Sequence, residues 1–208
     1  TSSTSALVGS PLGSNVLGVM VERASGMALG DFMEERLFRP LGMVDTAVYA
    51  PSEKQGRLAA AYRREEDKVV LSDDPAKSDW GHPPAFAAGD AGLVATAPDY
   101  AAFTRMLRHG GASLSRNLLR AETVRAMCVD RLTPAQRAGG EMILGPDQGW
   151  GYVGGIKAES YGWNGGLGTS WTTVPARDMT VILLTQRYFD SPDMPRVHAE
   201  FLAAALEN

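Results

Sequence analysis

Serine and histidine are the residues whose spacing would most directly indicate nucleophilic chemistry in this chain. A lysine three residues after a serine shares its helix face and lowers the cost of deprotonating the hydroxyl. No serine here has a lysine three residues later, and none lies in a Gly-x-Ser-x-Gly turn. His82, His109 and His198 are far apart and show no metal-binding spacing. A Ser/His/Asp triad remains an alternative, although nothing in the sequence singles out the residues that would form it.

A second candidate for chemistry is the glycine-rich run Trp163-Asn164-Gly165-Gly166. Glycines let a strand pass close to a ligand without a side chain in the way. The same run also suits a glycine-rich bulge with Trp163 in the core. Both interpretations remain open at the level of the residues.

Two amphipathic helices are predicted near the start of the chain. Apolar residues recur at helical spacing over Val16–Ala24, and Gly26 follows as a helix C-terminus requires. A second apolar stripe runs from Leu29 to Leu37. Pro40 is expected to end that helix, because proline lacks the N–H and clashes with the preceding turn.

The rest of the chain divides into a helical part and a strand-rich part. Thr96 is expected to cap a helix that Gly110-Gly111 stop, and Leu118–Leu132 carries another helical stripe. A charged tip is expected at Arg63–Asp67, and a loop at Pro134–Gln148. Strands are predicted at Gly151–Lys157, Ser160–Asn164, Gly168–Val174 and Met179–Thr185, and a closing helix at Pro195–Leu206.

This order predicts an α+β fold: a helical domain beside an antiparallel sheet with a closing C-terminal helix. We expect a single domain over residues 1–208, mainly helical at about 15–148 and built of strands plus the last helix at 149–208.

Three passages resemble the serine β-lactamase-like hydrolases: class C β-lactamases, family VIII esterases and related penicillin-binding proteins. The first holds Glu22–Gly26, then Phe38–Met43 and Asp45-Thr46, and it is similar to the family's helix pair and "PLGM.DT" segment. Gly89–Tyr100 resembles the "GGgGL.sTa.Dla.f" segment. Tyr161–Trp171 resembles the "fgWgGg.Gt.f" strand of the esterase branch. The three occur in the family's order.

The resemblance implies an active site in the cleft between the helical part and the sheet. Trp163, Asn164 and Gly165 match the family's cleft-edge motif and would bind substrate, and the Gly166 N–H would help hold the oxyanion. The family's Ser-x-x-Lys nucleophile is absent from this sequence and is expected upstream of Thr1. The position of the family's tyrosine falls on Gly9 or Ser10, so no tyrosine is present there.

The expected function is therefore that of a carboxylesterase acting on short acyl esters through an acyl-serine intermediate, with this chain alone inactive. Trp163 in place of a lysine favours esters over carboxylate-bearing β-lactams. The alternatives are a peptidase of the same family acting on D-amino acid peptides, and a truncated or degenerate member with a structural or ligand-binding role. No metal or cofactor is expected. The expected partner is a small ester or β-lactam-like molecule, with a possible homo-oligomer or complementing N-terminal segment.

Composition excludes several other classes. The chain has 208 residues, a net charge of −4 and 44% hydrophobic residues, so we expect neither nucleic acid nor membrane as a partner. Its single cysteine, Cys128, allows no intrachain disulfide. No signal-peptide pattern is visible, which favours a cytoplasmic location over export.

Overall fold

The structure, a computed structural model, describes residues 11–113, 116–140, 144–145, 147–191 and 193–207. Helices precede a five-stranded antiparallel sheet, and one helix follows it. The predicted α+β fold is therefore confirmed. Gly9 and Ser10 lie outside the described residues. None of the helices within the described ranges is long and apolar enough to cross a membrane.

The α-helices are α1 Pro11–Ser25, α2 Leu29–Met33, α3 Arg39–Leu41, α4 Ala97–Arg108, α5 Ala121–Met127, α6 Pro134–Gly139 and α7 Arg196–Glu207. The strands are β1 Ala61–Glu65, β2 Lys68–Asp73, β3 Gly149–Gly151, β4 Gly154–Lys157, β5 Ser160–Gly165, β6 Thr169–Val174 and β7 Met179–Leu184.

The helical hairpin near the start of the chain ends differently from the prediction. Gly26 does follow α1, with φ at +71° and its N–H donating to the Glu22 carbonyl over 2.8 Å. Pro40, however, does not end the second helix. A π-helical turn at Glu34–Phe38 continues α2 into α3, and Gly42 terminates it with φ at +70°. Pro40 lies in the first turn of α3, where proline is tolerated because its missing N–H would be free in any case, and the left-handed Gly42 ends the helix.

The apolar stripe of α1 is exposed rather than buried. Val16, Leu17 and Met20 have exposed fractions of 51%, 61% and 58%. The helix instead packs closely against Leu29 at Gly18, where a β-carbon would lie 3.0 Å from Leu29 Cδ2. The hydrophobic pattern therefore located the helix correctly. It did not show which face of the helix packs against the other described residues.

The charged segment Arg63–Asp67, predicted as a tip, forms the end of one strand and the turn of a two-stranded hairpin. Strands β1 and β2 pair antiparallel, and the turn between them is at Glu66, where φ is 51°, and Asp67. The base of the hairpin is attached to the segment after β7. The Tyr62 N–H donates to the Gln186 carbonyl over 2.7 Å, and the Tyr188 N–H donates to the Tyr62 carbonyl over 2.8 Å.

The central core lies between α4, α5 and one face of the large sheet. Thr96 caps α4 as predicted, accepting a hydrogen bond from the Asp99 N–H over 3.4 Å. The buried core side chains come from helix α4, helix α5 and strands β5 and β6: Met106, Leu107, Val124, Tyr161 and Trp171. This packing fixes the orientation of β5 and β6 relative to the helical part.

Between α4 and the sheet, two predictions need correction. The helical stripe at Leu118–Leu132 forms a helix only over α5, Ala121–Met127. The loop predicted at Pro134–Gln148 contains α6, which begins with a capping box between Thr133 and Gln136. The turn-forming glycines that follow this helix favoured the prediction of a loop, although the capping box is typical of a helix N-terminus.

The large sheet has the order β3-β4-β5-β6-β7, with every neighbouring pair antiparallel. The predicted strand Gly151–Lys157 is wrong, because a turn at Tyr152 and Val153 divides it into the end of β3 and the strand β4. Among the described strands, none pairs with the outer edge of β7. Helix α7 contacts β7.

Candidate active site

A cavity of about 720 Å³ lies between the helical part and the large sheet. Its helical wall includes Thr46, Tyr49 and Tyr100, and its sheet wall includes Trp163, Gly165 and Trp171. The cavity occupies the position in which we expected the active-site cleft. Its volume is in the range typical of pockets that bind small molecules.

Trp163 stands on β5 directly opposite Trp171 on β6. Its ring packs edge-on against Trp150 with 4.4 Å between ring centroids. Gly155 lies close to the same ring, since a β-carbon there would be 3.2 Å from Trp163 Cε3. Trp163 is therefore held as a rigid aromatic wall, and the glycine beside it makes room for the indole.

Asn164 is one residue further along β5 and therefore belongs to the opposite face of the sheet. It pairs with Ser170, whose Oγ lies 2.7 Å from Nδ1 of the buried His198 on α7. Asn164 nevertheless lines the cavity together with Trp163 and Gly165. The structure therefore brings the three predicted substrate-binding residues to one cavity.

Gly165 and Gly166 lie where β5 turns into β6. Gly165 ends the strand, and the Gly168 N–H donates to the Gly165 carbonyl over 2.9 Å, which closes a tight turn. Gly166 is exposed, and a β-carbon there would meet nothing within 4 Å. Gly165 and Leu167 line the cavity, but Gly166 is not among its lining residues.

A charged cluster lies on the helical wall of the cavity. Asp45 accepts two hydrogen bonds from Arg57, at 2.9 and 2.5 Å, and Lys54 Nζ lies 3.1 Å from the same carboxylate. Hydrogen bonds from Arg57 and Lys54 hold the pKa of Asp45 well below its ordinary value. The cluster is therefore charged at neutral pH, and its cations are already bound to an anion.

A second carboxylate supports the loop that carries Asp45. The buried Asp99 accepts a hydrogen bond from the Asp45 N–H over 2.7 Å and one from Thr46 Oγ1 over 2.9 Å. In the sequence, Asp45 and Thr46 stand out only as part of a resemblance, and Asp99 only as part of another and as a residue of the first turn after the Thr96 cap. The contact joins residues far apart in the sequence, so no local spacing could indicate it.

Tyr100 is another aromatic residue on the cavity wall, packed against Trp171 with 5.8 Å between ring centroids. Burial raises the pKa of its hydroxyl. Tyr100 therefore stays protonated at neutral pH. Within the described ranges, no three His, Cys, Asp or Glu side chains come close enough to hold a metal ion.

Comparison with known proteins agrees with this architecture. The family model described as Beta-lactamase matches residues 10–205. Two proteins of Mycobacterium tuberculosis, Uncharacterized protein MT1414 of strain CDC 1551 / Oshkosh and Protein Rv1367c of strain ATCC 25618 / H37Rv, are each 31% identical over 188 residues. The match covers 83% of this chain and 47% of each relative. The chain thus spans about half the length of these curated relatives.

Solved structures with the same fold have low sequence identity to the chain. EstCE1, a hydrolase with promiscuous acyltransferase activity, is 21% identical with a TM-score of 0.81, over 100% of this chain and 58% of its own. The LovD6 mutant of simvastatin synthase from Aspergillus terreus is 22% identical with a TM-score of 0.72, over 90% of this chain and 51% of its own. An octameric penicillin-binding protein homologue from Pyrococcus abyssi is 20% identical with a TM-score of 0.66, over 95% of this chain and 41% of its own.

These structural likenesses show the fold, and the family match extends over nearly the whole chain. Together with a cleft between a helical part and an antiparallel sheet, they lead to one conclusion: the chain belongs to the beta-lactamase family.

Proposed function

We propose that the complete protein is a carboxylesterase that cleaves short acyl esters through an acyl-serine intermediate. The observation that carries this proposal is the placement of Trp163 and Gly165 on the wall of a cavity between helices and sheet. Two structural neighbours, a hydrolase with promiscuous acyltransferase activity and simvastatin synthase, are compatible with acyl-transfer chemistry.

The residues suit an uncharged substrate. Trp163 offers an aromatic surface where a lysine would attract a carboxylate. Lys54 and Arg57 share the Asp45 carboxylate, which neutralises one of their two charges. An ester without a negative charge therefore fits this wall better than a carboxylate-bearing β-lactam.

The proposed reaction is attack of a serine hydroxyl on the ester carbonyl, which places a negative charge on the carbonyl oxygen. Gly166 lies between Gly165 and Leu167, which line the cavity, and its N–H, which finds no acceptor among the described residues, would donate to that oxygen. The second donor would be the N–H of the nucleophile itself. Loss of one such donor typically costs about 100- to 1000-fold in rate.

The nucleophile is proposed to come from residues outside these 208, because no serine of the chain precedes a lysine by three positions. The same observation favours a second candidate, a family member without catalysis that binds a ligand in the cleft. The two candidates differ in whether an acyl-enzyme forms in the full-length product of the reading frame.

Fluorophosphonate labelling distinguishes them. The 208-residue chain should show no labelling and no burst of p-nitrophenol from p-nitrophenyl butyrate, whereas the full-length product should be labelled at one serine of a Ser-x-x-Lys motif. Absence of label in both proteins would leave the non-catalytic candidate. Label on Ser170, the serine that is hydrogen-bonded to His198, would replace the proposal with a different nucleophile.

A further inference from the structure

The turn between β5 and β6 is bound by the chain segment that follows β7. The Thr185 N–H donates to the Gly168 carbonyl over 2.8 Å, and the Thr185 hydroxyl donates to the same oxygen over 2.8 Å. Four residues later, the Phe189 N–H donates to the Gly166 carbonyl over 2.9 Å. Segment 185–189 therefore binds the turn through both of its ends.

Gly168 allows the segment to approach the turn this closely. Its φ is +101°, a conformation that residues with a side chain rarely adopt. A β-carbon there would overlap the Arg187 carbonyl and would lie 2.6 Å from Thr185 Oγ1. The contact with the segment therefore requires a glycine at this position, in addition to the requirement of the turn itself.

These hydrogen bonds fix the orientation of the peptide group between Gly165 and Gly166. In a planar trans peptide the C=O and the N–H point in opposite directions. The Gly165 carbonyl accepts a hydrogen bond from the Gly168 N–H inside the turn, so the Gly166 N–H of the same peptide points out of the turn. The carbonyl of Gly166 itself is held by the Phe189 N–H. The peptide groups on both sides of Gly166 are therefore fixed.

The other side of the segment is attached to the β1–β2 hairpin. The Gln186 carbonyl and the Tyr188 N–H bind the backbone of Tyr62, as described above. Thr185 and Phe189, in contrast, bind the turn. The segment is thus bonded on both of its sides, and a donor group held in this way needs little reorganisation when charge develops on a substrate.

The Phe189 side chain anchors the end of the segment. Its ring packs edge-on against the imidazole of the buried His198 on α7, with 5.0 Å between the ring centroids. An anchored end matters for the turn, because displacement of a catalytic group by about 1 Å can cost about 100-fold in rate.

We propose that segment 185–189 is the positioning element of the oxyanion turn, with Thr185 and Phe189 as its positioning residues. They act through the Gly166 N–H rather than on the ester itself. This inference rests on the proposed function, in which that N–H binds the oxyanion. The hydrogen bonds that support it all lie within this chain.

Nitrogen-15 relaxation of the 208-residue chain measures whether the segment holds the turn. We expect an order parameter near about 0.85 for the wild-type Gly166 N–H, as in rigid backbone, and a fall towards about 0.6 in Thr185→Val, which removes the hydroxyl and keeps the shape. Thr180→Val is the matched control, because it removes a β7 hydroxyl that is hydrogen-bonded to Thr173 Oγ1 over 2.8 Å. It should leave the Gly166 order parameter unchanged.

Kinetics of the full-length product with p-nitrophenyl butyrate measure the consequence for catalysis. An oxyanion contact is made only in the transition state, so Thr185→Val should lower kcat and kcat/KM by the same factor, about tenfold. Thr185→Ser, which retains the hydroxyl, should restore the rate. Thr180→Val should stay within about twofold of wild type.

A second pair of variants addresses the other end of the segment. Phe189→Pro removes the N–H that binds the Gly166 carbonyl and should lower kcat by about 100-fold. Phe189→Leu keeps the N–H and an apolar side chain, and should stay within about threefold of wild type. Circular dichroism of each variant checks that the fold is retained.

A wild-type order parameter below about 0.6 at Gly166 would overturn the proposal. Equal losses of rate in Thr185→Val and Thr180→Val would also overturn it, and so would a raised KM with unchanged kcat in Thr185→Val. A full-length protein without acyl-enzyme would refute the proposed esterase, and the relaxation measurement would still decide whether the segment holds the turn. An active enzyme with wild-type kcat in Thr185→Val would refute the positioning role alone.

Discussion

The Asp99 carboxylate accepts a hydrogen bond from Thr46 Oγ1 across 2.9 Å, and both side chains are buried. The same carboxylate oxygen accepts the Asp45 N–H. Helix α4 thereby holds the loop that presents Asp45 and Thr46 to the cavity. A buried acceptor of this kind contributes to stability mainly because its removal leaves two donors without a partner.

Asp99→Ala should therefore lower the free energy of unfolding by about 3 kcal/mol, as two buried donors lose their acceptor. Thr46→Val should cost about 1 kcal/mol, because it removes one donor and keeps the shape. Urea denaturation measures both. In the double variant the two losses should not add, since they share one hydrogen bond. Strict additivity would contradict the coupling between these residues.

Removing the anion from the charged cluster should change which ligands the cavity accepts. In Asp45→Asn, Arg57 and Lys54 lose their carboxylate and become available to an external anion. We expect the affinity for decanoate to rise by about two- to fivefold, the scale of an exposed ion pair, and the gain to shrink at high salt. Affinity for octyl methyl ketone, a neutral compound with the same number of carbons, should stay constant and serves as the control. An unchanged affinity for decanoate would show that these cations do not face the ligand.

Stability should fall in mild acid because of His198. Burial lowers the pKa of this imidazole from its ordinary value of 6.5. The unfolded chain therefore binds the proton more readily than the folded chain, so stability is full above pH 6.5 and is lost as the pH falls towards the lowered pKa. His198→Gln, which retains a hydrogen-bonding group for Ser170, should flatten this part of a curve of melting temperature against pH. A curve with the same slope in the variant would assign the acid sensitivity to other groups.

A substitution in the β5–β6 turn should affect catalysis without affecting the stability of the fold. Gly166→Val should leave the melting temperature of the chain nearly unchanged, because a β-carbon at this position meets nothing within 4 Å. In the full-length enzyme the same change should lower kcat/KM for short acyl esters at least about 100-fold if the Gly166 N–H holds the oxyanion, because the branched side chain of valine would then project into the cleft beside the ester carbonyl.

Gly162→Ala provides the contrast, since its β-carbon would overlap the Trp171 carbonyl on the neighbouring strand. It should destabilise the chain by about 1–3 kcal/mol. A Gly166→Val enzyme with full activity and unchanged melting would remove the oxyanion role from this turn.

The outer edge of β7 should promote association. The Thr185 N–H donates to the Gly168 carbonyl over 2.8 Å, so by alternation the Leu183 N–H points to β6 and the Leu184 N–H points outward. Exposed edges pair with other chains, and we expect the 208-residue chain to form dimers or larger assemblies. Leu184→Pro should reduce association in light scattering and keep the fold, whereas Leu183→Pro should disrupt the sheet. A wild-type chain that stays monomeric at high concentration would contradict this expectation.

The sequence predicted elements whose signals are local. The Thr96 cap, the glycine after α1 and the alternation along β6 each depend on a few adjacent residues, and the structure contains all three elements. The α6 helix was missed although its capping box is local, because the glycines around it dominated the interpretation. The assignment of one domain to residues 1–208 stays a prediction, which limited proteolysis can test.

The candidate site was less predictable than the fold. The motif Trp163-Asn164-Gly165-Gly166 was found from its glycines and its resemblance, but the packing of Trp163 on Trp150 and the pairing of Asn164 with Ser170 became visible only in the folded sheet. Asp99 and the attachment of Tyr62 to Gln186 bring together residues widely separated in the sequence, so periodicity and spacing contain no information about them. Their geometry depends on tertiary packing.

The attachment of Tyr62 to Gln186 and Tyr188 also bears on when the cavity can form during folding. Contacts between such distant segments require closure of a long loop and are slow to form. We therefore expect residues 58–60, which line the cavity just before β1, to reach their native place only after β7 has joined the sheet. A ligand that binds the finished cavity would stabilise these contacts, and would act on this protein as a chemical chaperone even without being a substrate.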